Sequence, residues 1–215
     1  DRTGTPRIHI INQNGTGDHA LLTDSPDATE ISPAWSPDGT RLIFVSDRGG
    51  VGRDLYIVAA DGSNLTRLTT FQTILGDPAW SPDGAWIAFW RIEQNGDIHI
   101  YKVNVDNGTI MRLSTVGPHN GMPVWSPDGT EVYFDSDRDG TWRVWRMGAD
   151  GAHPTPITTD LNGASGRASV SPDGTKLIFV SNQDQSDELY IMNIDQTGLR
   201  RLTDNIASDF APKWQ

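Results

Sequence analysis

The segment Asp135-Ser136-Asp137-Arg138-Asp139-Gly140 sets carboxylates at alternate residues ahead of a glycine, which is how a calcium-binding loop opens. The continuation argues against it, because Arg143 and Arg146 stand where such a loop needs oxygens, the last of them a bidentate glutamate. Calcium at Asp135, Asp137 and Asp139 is thus a weak candidate, and no cofactor is expected. The histidines His9, His19, His99, His119 and His153 show neither HxH nor HExxH spacing, so zinc is weaker still. The chain has no cysteine, which removes disulfides, thiolate ligands and cysteine nucleophiles together. A nucleophile elbow G-x-S-x-G is absent; Gly163-Ala164-Ser165-Gly166 has the wrong spacing. Glu30, Asp77 and Asp209 are the carboxylates that could face a common channel for glycoside hydrolysis. These carboxylates are the one plausible catalytic set, and a binding module rather than an enzyme is expected.

Charge narrows the partners. Lysine and arginine number 17 against 28 acidic residues, for a net charge of −11, so attraction to phosphate backbones is disfavoured and no nucleic acid is expected. No apolar run approaches the ~18 residues needed to span a bilayer, so direct membrane insertion is not expected either. A start at Asp1 without methionine suggests a processed protein or a piece of a larger one.

The elements that must position these residues repeat. WSPDG occurs at Trp35–Gly39, Trp80–Gly84 and Trp125–Gly129, each 45 residues after the last, with VSPDG at Val170–Gly174. Proline presets φ, aspartate accepts backbone N–H groups and glycine tolerates positive φ, which together specify a tight turn. A β-branched and aromatic run follows each turn, with Phe44, Phe89, Phe134 and Phe179 again 45 apart. A third strand carries the rings of His9, Tyr56, Tyr101, Trp145 and Tyr190, and a fourth closes on Leu22-Thr23, Leu68-Thr69, Leu113-Ser114, Ile157-Thr158 and Leu202-Thr203. Four short antiparallel strands per repeat, with no helical period between them, predict an all-β propeller.

The expected ring has five blades. Four are complete, at 24–69, 70–114, 115–159 and 160–203, in one domain spanning 1–215. The fifth is split: residues 1–23 supply its third and fourth strands and residues 204–215 its first. Asp1-Arg2-Thr3-Gly4 repeats the pattern of Asp137-Arg138-Asp139-Gly140, and Ala211-Pro212-Lys213-Trp214 repeats a first strand. Its second strand is missing, and the unpaired edge this leaves makes self-association through the split blade an expectation.

The stretch SPDGTRLIFVSDRGG, followed by DLYIVAADGSNLTRLT, resembles the TolB-like propeller repeats, relatives of WD repeats found also in tricorn-like and prolyl-oligopeptidase-like proteins. Two departures are visible: Arg91-Ile92-Glu93 replaces SDR in one repeat, and Val170 replaces the tryptophan in another. The resemblance implies a bacterial, periplasmic or extracellular module that holds a protein or peptide. It also admits the gating propeller of a serine peptidase, an extracytoplasmic sensor, or a carbohydrate-binding ring.

In such a ring the loops between strands four and one, and those between strands two and three, share a face around the central channel. The four-to-one loops vary far more than the strands, and variable loops on a regular frame carry specificity. Phe71, Ile74 and Leu75 place apolar side chains in one of them, and Trp142 comes from a neighbouring blade on the same face. Asp77 and Arg167 add opposite charges, and Glu30 and Asp209 extend the polar rim. These residues form the predicted partner site. Trp35, Trp80, Trp125 and Trp214 keep the repeat register and are expected in the core, whereas Trp86, Trp90 and Trp142 break it. So does the series Val45, Trp90, Asp135, Val180 at the ends of the second strands.

Overall fold

A computed structural model describes residues 4–214 apart from 23, 26, 160, 205 and 206. The short strands β1 (His9–Ile10) and β2 (His19–Ala20) pair only with each other. Four four-stranded antiparallel blades follow in chain order. The first holds β3 (Glu30–Trp35), β4 (Arg41–Ser46), β5 (Asp54–Ala59) and β6 (Thr66–Arg67), and the second β7 (Leu75–Trp80), β8 (Trp86–Ile92), β9 (Ile98–Asn104) and β10 (Ile110–Arg112). The third holds β11 (Asn120–Trp125), β12 (Glu131–Ser136), β13 (Arg143–Gly148) and β14 (Thr155–Pro156), and the fourth β15 (Ser165–Val170), β16 (Lys176–Ser181), β17 (Glu188–Asn193) and β18 (Arg200–Arg201). This is the predicted all-β propeller, with the fifth blade present as partial elements.

The recurring turn owes its constancy to one set of hydrogen bonds. Ser36 Oγ donates to Asp38 Oδ1 at 2.6 Å and accepts from the Arg41 amide at 2.9 Å, while the Thr40 amide donates to the same Asp38 oxygen. Gly39 sits at φ 69°, where a side chain would be strained. The same serine–aspartate pair recurs at Ser81 and Asp83, Ser126 and Asp128, and Ser171 and Asp173. These bonds hold Asp38 and Asp173 down at about 2, the serine hydroxyl being the largest cause. The serine, aspartate and glycine of the motif therefore serve the hairpin.

Between blades the core is aromatic and aliphatic. Phe44, Phe89, Phe134 and Phe179 are buried to within 1 % of complete, each opposite the third-strand ring, as in the stack of Phe89 on Tyr101. Third-strand entry is fixed by a hydroxyl from strand four: Thr69, Ser114, Thr158 and Thr203 accept from the amides of Leu55, Ile100, Val144 and Leu189 at 2.8–3.0 Å. Tryptophan tells a mixed story. Trp80 is buried, but Trp35 is 50 % exposed, which corrects the expectation that all register tryptophans are core residues.

The β1–β2 pair packs through Ile8, Leu21 and Leu22 on Leu42, Phe44 and Val58 of the first blade. Residues 211–214 carry no ladder; Trp214 instead donates from Nε1 to Ser169 O at 3.2 Å. Residues 1–3, Thr23, Asp160 and Gln215, which the expected blade limits include, lie outside the described residues.

Candidate functional site at the channel mouth

Each innermost strand is broken by a bulge at the same place. The registers shift between Ile31 and Ala34, Gly76 and Ala79, Gly121 and Val124, and Gly166 and Ser169. At these bulges Ser32, Asp77, Met122 and Arg167 adopt φ of 52°, 48°, 52° and 54°, and Ala211 joins them at 50°. A left-handed non-glycine residue costs about 1–2 kcal/mol. Five in register show that the frame imposes it. A bulge re-aims the side chain it carries, and all five residues line one cavity of about 400 Å³. They ring a common axis, which is the channel.

The loops over this axis are stitched together. The Arg53 amide donates to Thr73 O and the Ile98 amide to Pro118 O, while the Ser165 amide donates to Trp142 O and the Asp209 amide to Asp187 O, all at 2.6–2.9 Å. In every complete blade a two-to-three loop therefore meets the next four-to-one segment, as the propeller reading required.

The predicted site residues separate into two sets. Leu75 is 1 % exposed in β7, and Phe71 packs against Phe89 and Tyr101 with the Arg91 guanidinium 4.2 Å from its ring centre. Leu75 is therefore a core residue, because the strand begins earlier than expected, and Phe71 is a half-buried loop residue whose ring turns onto the core. Glu30 is also removed: it is buried and held by Arg7 and Arg48 while accepting from the Ile8 amide. Ile74 stays exposed, and Asp209 is half-buried beside Asp187. Asp77 accepts from Trp90 Nε1 at 2.7 Å on the channel wall. Glu30, Asp77 and Asp209 therefore do not present a shared pair of free carboxylates.

The calcium reading fails on geometry. Asp135 accepts from the Arg167 amide, Asp137 lies 2.7 Å from His119 Nδ1, and Asp139 lies 3.1 Å from Arg143 Nε. Among the described residues no three acidic or imidazole groups converge on a metal position.

What the structure brings together is a cavity of about 390 Å³ between the third and fourth blades, opening beside the channel. Trp142 and Arg167 line it, with Trp90, Met122, Phe210 and Asp135. Trp142 is 41 % exposed and stacked on His119 at 6.1 Å; Phe210 is 55 % exposed beneath the Arg167 guanidinium at 5.3 Å. Sequence reasoning missed Phe210 and the carboxylate of Asp135 as parts of this site. The one available signal was the second-strand series, where a charge at Asp135 replaces apolar neighbours.

Four-stranded antiparallel sheets around a common axis define the chain as a β-propeller. Its repeats are TolB-like: residues 68–170 match the family model described as TolB beta propeller domain, and TolB from Acinetobacter baumannii superposes with a TM-score of 0.79 over 92 % of the chain at 24 % identity. The chain spans 48 % of that TolB. A puromycin-hydrolyzing peptidase of Mycobacterium tuberculosis shares the fold with a TM-score of 0.72, over 91 % of this chain and 35 % of its own, at 18 % identity. Over 37 residues, 17 % of the chain and 6 % of the relative, it is 49 % identical to the uncharacterized peptidase YuxL of Bacillus subtilis.

Proposed function

We propose that this chain is a non-catalytic TolB-like module that holds a protein or peptide segment at the channel mouth, in an exported, periplasmic or extracellular setting. The observation that carries it is the pairing of two exposed aromatic side chains, Trp142 and Phe210, over a largely apolar cavity lined also by Arg167 and Asp187, with Asp77 in the adjoining channel cavity. Aromatic anchors over a concave patch with a charged rim are the usual energetic centre of a peptide site. With a charge of −11, a basic segment is steered in at low salt. The test is a displayed peptide library selected on the intact chain. Trp142→Ala and Phe210→Ala should each weaken selected peptides at least ten-fold, whereas Ser63→Ala and Thr197→Ala in opposite-face turns leave them unchanged. Equal losses from both pairs reject the face.

A second reading has its own support in the likeness to the puromycin-hydrolyzing peptidase and in the YuxL match. There the chain is the propeller that gates access to a separate hydrolase domain. Sequence flanking the chain in its reading frame decides it: an α/β-hydrolase segment with G-x-S-x-G supports the gate, and any other flank rejects it.

A further inference from the structure

The cavity between the third and fourth blades contains a group that a plain apolar contact surface does not need. Asp135 is the penultimate residue of β12, with only 6 % of its surface exposed. Its Oδ2 accepts the Arg167 amide at 2.8 Å, while its buried Oδ1 has no hydrogen-bond partner. The surroundings are shaped to keep this carboxylate. A Cβ at Gly166 would lie 2.5 Å from Asp135 Oδ2, so the glycine is what leaves room. The left-handed turn at Arg167 aims its N–H at the same oxygen. An orphaned buried acceptor is destabilising, more so when charged, and a ligand bringing a donor relieves it.

Three features select the donor. Ile98, Met122, Val180 and the rings of Trp90, Trp142 and Phe210 supply apolar wall, and the polar side chains beside them, Asn120, Ser165 and Asn182, already hydrogen-bond within the protein. Charges facing the carboxylate are Asp187 at the rim, Asp77 across the channel wall and Arg167, whose guanidinium is held over Phe210. With Asp135 ionised, three carboxylates against one guanidinium leave the site negative. Aromatic faces add attraction for a cation. We propose that this cavity binds a primary alkylammonium group, whose N–H donors reach Asp135 while its alkyl stem packs among Trp90, Trp142 and Phe210. An ammonium supplies three donors and a charge; a quaternary ammonium supplies the charge without donors, and an alcohol the donor without charge. The alkylammonium is either a free amine or the lysine side chain of a partner, and this inference rests on the channel mouth being the binding face.

Burial pushes the Asp135 carboxyl up to about 7, with Asp77 raising it further and the Arg167 amide and charge lowering it. Binding needs the ionised form, so affinity is present above that value and falls about ten-fold per pH unit below it.

The experiment titrates the intact chain with n-butylammonium, n-butanol, tetramethylammonium and N-acetyl-lysine amide, following the indole N–H resonances of Trp90 and Trp142 at pH 8 and pH 6. Butylammonium should bind at least ten-fold tighter than butanol or tetramethylammonium, and about ten-fold weaker at pH 6. Asp135→Asn, which keeps the acceptor for Arg167, should weaken it at least ten-fold. The pH comparison on the unaltered chain stands even if that variant does not fold, and His119→Gln removes any contribution from the imidazole stacked on Trp142. N-acetyl-lysine amide binding as well as butylammonium assigns a lysine side chain; much weaker binding assigns a free amine. Equal binding of butanol or tetramethylammonium, or an Asp135→Asn variant that binds unchanged, overturns the proposal. Selected peptides that bind Trp142 and Phe210 while no amine binds overturn this inference alone. Amine binding without peptide binding overturns the broader reading alone.

Discussion

The indole Nε1 of Trp80 donates to the carbonyl oxygen of Ala34 at 3.1 Å, joining the innermost strands of adjacent blades. Trp125 does the same to Ala79 at 3.1 Å and Trp214 to Ser169 at 3.2 Å. The repeat tryptophan is thus an inter-blade tie as well as an apolar filler, and its 45-residue spacing follows from one tie per blade. Trp80→Phe keeps a ring and loses the donor, so it should cost about 1 kcal/mol in a urea melt. Trp35→Phe, at a site half open to solvent, should cost less than half as much. Equal losses would show that ring volume alone sets the repeat.

Phe89 tests the sheet-to-sheet core. It is fully buried and lies in a cluster with Phe71 and Tyr101, so truncation leaves a cavity that neighbouring strands cannot close. Phe89→Ala should lose about 3–5 kcal/mol. A loss below about 1 kcal/mol would reject the packing described for the second blade.

The turn aspartates set an acid limit. In the folded chain Asp38 and Asp173 titrate near 2, below the ordinary 3.8, because serine and threonine hydroxyls and a backbone N–H bind the ionised form. A depressed folded value gives stability that is present above the unfolded value and lost as pH falls through the folded one. Asp38→Asn and Asp173→Asn should therefore be less stable than the unaltered chain at pH 5, with the gap closing toward pH 2. A gap independent of pH would mean that the turn uses the oxygen and not its charge.

The frame was legible because each turn, core phenylalanine and strand-four hydroxyl repeats in kind as well as in place. The site was less so. The bulge positions hold Ser32, Asp77, Met122, Arg167 and Ala211, which share a backbone conformation and no side-chain chemistry, so their common role is invisible until the ladder shifts are seen. Leu75 reads as a loop residue because the four-to-one connection is short and β7 starts at Leu75 itself; Phe71 does lie in the loop, but its ring turns inward onto Phe89 and Tyr101. Trp142 was found from its broken register, and it does line the cavity. Asp135 was noticed for its spacing to Asp137 and Asp139, but strand alternation and loop direction send the three carboxylates to different partners.

Asp135 also carries a pH signature of stability that needs no ligand. Its folded value of about 7 lies above the ordinary 3.8, chiefly because burial disfavours the charged form. The folded state then holds a proton that the unfolded chain has released, and stability falls as pH rises between those values. Relative to the acid side, the penalty above the folded value is at most about 4 kcal/mol, at 1.36 kcal/mol per pH unit. Asp135→Asn removes the ionisation and keeps the acceptor for Arg167. The variant should match the unaltered chain near pH 4, gain on it steadily toward pH 7, and stay ahead at pH 8. Butylammonium at pH 8 should narrow that gap in the unaltered chain and leave the variant unmoved. A stability difference that is flat from pH 4 to pH 8 would place Asp135 in an ionised state throughout, with a partner in solution for its second oxygen.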